Sequence, residues 1–154
     1  MIDGSQLVSL LRTAGITHVP WIPDSDLGRW EPALAACDRP QLIRVCREGE
    51  ALAIAAGLLL GGASPLVMIQ CTGLFEAGDA LRNVVHDLQL PLRILVGVRS
   101  WKASLQRPVT DTCPRFIQPY VDAWQLHSRW LTGSADDLAD ALCLPGPLVL
   151  LWPE

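Results

Sequence analysis

Glu48 stands where an apolar run, Leu42–Cys46, ends and a strongly apolar helical pattern, Ala51–Leu60, begins. One reading is a first-turn glutamate, held there by the partial positive charge of a helix N-terminus. The other is a carboxyl facing a partly apolar crevice, where desolvation strengthens its hold on a proton and suits it to proton exchange. Both remain open on the residues alone. Arg47 and Arg99 offer guanidinium groups whose shape matches a carboxylate or oxyanion, although strand-end arginines are also commonly solvated or structural. Asp24 and Ser25 either orient a substrate or cap the helix that follows. The histidines His18, His86 and His127 have no metal-ligand spacing with the cysteines, so no metal is expected on this chain. His86 with Asp87 reads as the decoration of a helix end. The cysteines read as small buried apolar residues, and only Cys71, at a strand end, merits a test of reactivity. No G-x-G-x-x-G follows a strand, and neither a G-x-x-x-x-G-K-[ST] nor a G-x-S-x-G occurs.

These residues need a scaffold, and the apolar runs supply one. The pattern predicts strands at His18–Pro23, Leu42–Cys46, Leu66–Gln70, Leu92–Val98, Leu126–Leu131 and Leu148–Trp152. They are continuous rather than alternating, as parallel strands covered on both faces are. Helices are predicted near Gln6–Ala14, Leu27–Ala36, Gly49–Leu60, Ala77–Leu88, Arg115–Trp124 and Asp136–Leu142. Gly15 and Gly61 fit C-terminal stops, and Asp26 and Ser134 fit N-caps. The repeated order of strand, helix, strand predicts an α/β fold: a doubly wound, open parallel sheet of about six strands with helices on both faces. Ligands then belong beyond the carboxyl ends of the strands. The loops there carry Asp24 to Asp26, Arg47 to Glu50, Gln70 to Gly73 and Arg99 to Lys102.

Composition narrows the class. The 154 residues include 16 acidic and 12 basic side chains, a net charge of -4, with 50% hydrophobic and 18% charged residues. Length predicts one domain spanning 1–154, and a mean hydropathy of +0.28 argues against disorder. The acidic balance gives no footprint for nucleic acid or an anionic membrane. From Ala51 to Phe75 no residue is charged, yet Gly61-Gly62-Ala63-Ser64-Pro65 interrupts the run, so helix, turn and strand are expected rather than a membrane span. Five cysteines without a C-x-x-C pair fit a reducing compartment, and Met1-Ile2-Asp3-Gly4 lacks the pattern of a secretory leader. A cytoplasmic protein is expected.

Residues Arg47 to Gly57 and Pro65 to Leu74 together resemble the pyrimidine-binding (PYR) domain of thiamine-diphosphate enzymes. They are similar in particular to sulfopyruvate and phosphonopyruvate decarboxylases. Ile22-Pro23-Asp24-Ser25 is similar to their V-P-D-S, and Leu95 to Arg99 to their strand ending in x-R-G. The resemblance runs from about residue 5 to 130. It implies that Glu48, matched to E-G-x-A-x-A-x-A-A-G where Glu50 is not, hydrogen-bonds N1′ of the cofactor's aminopyrimidine. That contact activates the thiazolium carbon, which attacks the keto carbon of a 2-oxo acid before carbon dioxide leaves.

By the same resemblance Gln70, Thr72 and Gly73 line the cofactor; for the substrate's anionic group the guanidinium chemistry points to Arg47 or Arg99, with Asp24 and Ser25 expected either to orient the substrate or to cap the helix that follows. Where relatives read Q-N-S-G-L-G-N, this chain reads Gln70-Cys71-Thr72-Gly73-Leu74-Phe75-Glu76. The ring of Phe75 and the charge of Glu76 replace a glycine and a neutral amide, a change expected to disfavour a sulfonate or phosphonate. The diphosphate-binding (PP) domain's G-D-G with later asparagines is missing, and Gly78-Asp79-Ala80 falls inside a predicted helix. The resemblance therefore implies the alpha subunit of a two-subunit decarboxylase, sharing thiamine diphosphate with a PP-domain beta subunit that holds Mg2+. A homodimer or hetero-oligomer is expected, with a carboligase or a non-catalytic PYR-like module as alternatives.

Overall fold

The computed structural model describes residues 2–22 and 24–154. Helix α1 (Gly4–Thr13) starts on a capping box: the Asp3 carboxylate accepts from the Gln6 N–H, and the Gln6 side chain accepts from the Asp3 N–H. It stops where Gly15 turns left-handed. Strand β1 (His18–Trp21) leads to a 3-10 turn, Leu27–Trp30, and helix α2 (Glu31–Ala36). One helix was expected over Leu27–Ala36; Pro32 removes the N–H that would have carried an α-helix across the junction. Strand β2 (Gln41–Arg44) is followed by helix α3 (Glu48–Leu60), which ends at Gly61 and a left-handed Gly62.

Strand β3 (Val67–Gln70) runs directly into two short helices, α4 (Cys71–Glu76) and α5 (Gly78–Arg82), and a π-helical turn, Asn83–Asp87. Strand β4 (Arg93–Val98), helix α6 (Trp101–Ser104) and helix α7 (Cys113–Ala123) come next. Strand β5 (Ser128–Trp130), helix α8 (Ala135–Leu142) and strand β6 (Leu148–Pro153) complete the order. β5 is shorter than the expected Leu126–Leu131 because Leu126 donates its N–H to Val121 and still closes α7.

All six strands are parallel, in the order β2-β1-β3-β4-β6-β5. The doubly wound sheet is therefore as expected. Alternate residues of the central strands feed two cores. Val67, Ile69, Ile94, Val96, Val149 and Leu151 meet α3, α4, α5 and α7 on one face. Met68, Leu95, Leu148, Leu150 and Trp152 meet α1, α2 and α8 on the other, with Trp21 and Trp30 fully buried among them. The Trp30 and Trp152 rings pack edge to face at 5.1 Å, a favoured aromatic geometry. Burial of each such side chain is worth roughly 2–3 kcal/mol. Among the described residues no helix is long and apolar enough to cross a membrane.

Two smaller expectations need correction. Asp26 makes no cap bond; Asp24 does the work, its Oδ1 accepting from the Asp26 and Leu27 N–H groups at 2.7 and 2.8 Å. Of the cysteines, Cys71 and Cys113 are buried, Cys37 is half-buried, and Cys46 and Cys143 are exposed, since their loops and helix ends face outward. Ser134 caps α8 as expected, accepting from the Asp137 N–H.

Candidate functional site

The carboxyl ends of β1, β2, β3, β4 and β6 gather the polar loops on one rim of the sheet. On that rim two glutamates within one turn of α3 have opposite surroundings. Glu50 bends back, and its Oε2 accepts the Cys46 N–H at 3.0 Å, so this carboxylate ties the first turn of α3 to the loop before it. Glu48, the first residue of α3, is half-buried and accepts no hydrogen bond among the described residues. Its carboxylate lies flat against the backbone of Gly73 at the start of α4, so closely that a Cβ at Gly73 would overlap it. Only glycine leaves that space. Both glutamates lie in the first turn of α3, and of the two it is Glu50 whose carboxylate is tied to the preceding loop.

Around this pair the other expected cofactor residues converge. Gln70 ends β3, and its side-chain oxygen accepts from the Thr72 hydroxyl at 3.2 Å, while Gly73 follows. Glu48, Gln70, Thr72 and Gly73 therefore form one constellation. Cys71 points into the core beneath them, and burial pushes its thiol up to about 12, a value for an unreactive group.

The expected substrate residues do not join it uniformly. Arg47 turns away to pair with Glu76 at 2.7 Å, both exposed. Arg99 reaches Asp111 through Nε at 2.7 Å and Nη2 at 3.4 Å. The Arg99 guanidinium holds the Asp111 carboxyl well below the usual range. Thr72 and Arg99 share a cavity of about 620 Å³ with Phe75, Asp111, Cys113, Phe116, Pro119 and Tyr120. The Tyr120 hydroxyl donates to the Leu74 carbonyl at 2.9 Å and so fixes α7 against α4. Asp24 lies in the loop after β1 with Oδ2 buried and unpaired among the described residues, and burial raises its carboxyl; Ser25 is exposed.

Sequence reasoning missed Glu154, directly after β6. Its carboxylate lies over Gly97 of β4, with both oxygens buried and unpaired among the described residues. Burial, then the nearby Asp24 and Asp26 charges, push it up to about 8. It also missed Asp111, Phe116 and Tyr120, which reach the cavity from a distant helix and loop. No local pattern marks them. Among the described residues no cluster of three or more His, Cys, Asp or Glu side chains is placed to hold a metal.

No protein-family model matches the chain. The chain is similar in sequence to a phosphonopyruvate decarboxylase of Streptomyces viridochromogenes, 26% identical over 141 residues, 92% of this chain and 36% of that protein. A phosphonopyruvate decarboxylase of Streptomyces hygroscopicus is 29% identical over 102 residues, covering 66% of this chain and 25% of its own. A sulfopyruvate decarboxylase of Methanosarcina acetivorans is 27% identical over 109 residues, 71% of this chain and 27% of its own. The chain thus spans about a third or less of each of these relatives. Its fold matches part of a benzoylformate decarboxylase from Polynucleobacter necessarius, with a TM-score of 0.72 at 21% identity, covering 99% of this chain and 30% of that one.

Proposed function

We propose that this chain, similar to phosphonopyruvate and sulfopyruvate decarboxylases, is the pyrimidine-binding part of a thiamine-diphosphate-dependent 2-oxo acid decarboxylase, completed by a PP-domain partner. One observation carries the reading: the Glu48 carboxylate is offered at the strand-end rim with no hydrogen bond among the described residues, pressed onto a glycine whose missing side chain makes room for it.

The residues present suit the pyrimidine end of the cofactor and not its diphosphate. Glu48 supplies one carboxylate for N1′, and Gly73 and Thr72 leave a narrow floor beside it. The sequence has neither a G-x-G-x-x-G after a strand nor a G-x-x-x-x-G-K-[ST] to cradle a phosphate, and a net charge of -4 opposes a bound diphosphate. Mg2+ and the diphosphate therefore belong to the partner. When bound, the cofactor supplies the electron sink for loss of carbon dioxide from a 2-oxo acid. Glu48 holds and moves a proton at N1′. Gly73 keeps that carboxylate close to the sheet, and Glu50 holds the first turn of α3 in place so that Glu48 is presented at a fixed angle.

The test is co-expression with a chain bearing G-D-G and its downstream asparagines, followed by a screen of 2-oxo acids with thiamine diphosphate and magnesium. Carbon dioxide release that needs both chains is the expected result. Reconstitution that restores no cofactor binding and no turnover with any 2-oxo acid would sink the reading.

A further inference from the structure

The two arginines expected to receive an anionic substrate are already engaged. Arg47 is paired with Glu76, and that pair faces a shallow recess lined by Gly49, Glu50 and Asp79, away from the cavity. Arg99 does reach the cavity, but Asp111 meets it through two nitrogens and stands in the same wall, so the lining has no net charge. What remains is largely apolar and aromatic: Phe75 and Tyr120 packed at 5.0 Å, with Phe116 and Pro119 of α7 in the same lining. A sulfonate or phosphonate dianion entering here finds the Arg99 guanidinium already met by Asp111 and has to compete with that carboxylate for it, while the rest of the wall is apolar and offers no other cation. An aryl group meets ring edges and faces instead. The volume, about 620 Å³, lies within the range of small-molecule sites.

The cavity also lies in the right place. Thr72 lines it, and the next residue, Gly73, is the one against which Glu48 rests. We infer that this cavity receives the side chain of the 2-oxo acid and selects an aryl group over a sulfonate or phosphonate. The inference rests on the decarboxylase reading for the identity of the rest of the substrate, but the selectivity of the cavity is a property of this chain alone.

The experiment therefore needs neither cofactor nor turnover. The 15N-labelled chain is titrated with phenylacetate and with phosphonoacetate, which share a carboxymethyl group and differ in aryl against phosphonate. Phenylacetate should shift the amides of Thr72, Phe75, Phe116 and Tyr120 saturably, whereas phosphonoacetate should leave them unmoved. Phe116→Ala, at a ring half open to solvent, should weaken phenylacetate about three- to tenfold while the remaining spectrum is preserved. Asp111→Asn, which keeps an acceptor for the Cys113 N–H but removes the charge facing Arg99, should admit phosphonoacetate. Equal or stronger shifts with phosphonoacetate on the wild-type chain overturn the inference. Shifts with neither probe, or shifts confined to other residues, overturn it too. Any of these results leaves the Glu48 relay intact, and failure of the two-chain reconstitution leaves the titration result standing.

Discussion

Glu48 and Glu50 lie on the same turn of α3, yet only one of them is spare. Glu50 is committed to the Cys46 N–H, whereas Glu48 rests over Gly73 and accepts no hydrogen bond among the described residues. Glu48→Gln in the two-chain assembly should slow exchange of the cofactor's C2 proton by about 10²–10⁴-fold, the usual contribution of a positioned acid–base group. Deuterium exchange followed by NMR reads this directly, and a rate within threefold of wild type removes Glu48 from the role. Glu50→Gln retains an acceptor for Cys46 and should stay near the wild-type rate. Gly73→Ala separates fold from function differently. The added methyl would overlap the Glu48 Cγ as well as its carboxylate, so the whole side chain has to turn to another rotamer, although no backbone atom is in the way. Thermal stability should fall only modestly, while C2 exchange falls as far as in Glu48→Gln. A variant that unfolds instead would show the glycine to be structural.

At the scale of elements, the cap of α8 offers a clean measurement. The Ser134 hydroxyl accepts from Asp137, and the Asp137 carboxylate in turn accepts from the Thr132 N–H and from Arg129, tying the end of β5 to the helix. Ser134→Ala should cost about 1 kcal/mol, seen as a fall in Tm of about 2–4 °C. No change would mean that Asp137 holds the turn unaided. This cap was legible because Ser134 stands immediately before an apolar-periodic helix. α3 was legible for a similar reason: its apolar run is long, and Gly61-Gly62 closes it. The break between α2 and the turn before it, and the short helices α4 and α6, were not. Cys71-Thr72-Gly73 continues an apolar strand without punctuation, and a six-residue helix carries too few turns to show a period. Of the candidate site, Glu48 stood out as a carboxylate between an apolar strand and an apolar helix, whereas Gly73 came only with the family resemblance. Glu154 was not visible, since its burial comes from β4 and the β1 loop, far away in the chain.

For the whole molecule, titration sets opposite limits at the two ends of the pH scale. The Glu154 carboxyl is ordinarily near 4.5 and is pushed up to about 8 by burial, then by Asp24 and Asp26, with Arg29 opposing. Below its unfolded value the group is protonated in both states, and its contribution to stability is fully present. Between about 4.5 and 8 the unfolded chain gives up the proton and the folded chain keeps it, so stability falls as pH rises. Asp111 and Asp137 run the other way. For Asp111 the Arg99 pairing, and for Asp137 the Thr132 and Arg129 bonds against an opposing burial, keep the carboxyl below its usual range, so their contribution is lost in acid. Thermal melts should therefore show Tm declining between about pH 5 and 8, and Glu154→Gln should flatten that limb without altering the acid one. A wild-type profile level across that window would mean that Glu154 ionises freely.

The rings of Trp101 and Trp130 lie 3.9 Å apart and 27° from parallel, one on α6 and the other on β5. α6 has no buried residue of its own, so this stack and the Lys102 N–H bond to Glu154 hold it to the sheet. Two indoles at that separation couple their excited states, so the chain is expected to carry an optical signature of the stack in the far ultraviolet. Circular dichroism should show a paired positive and negative band that Trp101→Phe abolishes. Arg99 and Asp111, which flank α6, also line the neighbouring cavity, so binding there should change this band while the Trp101→Phe chain shows no such response. The stack would then serve as a reporter of that rim with no label attached.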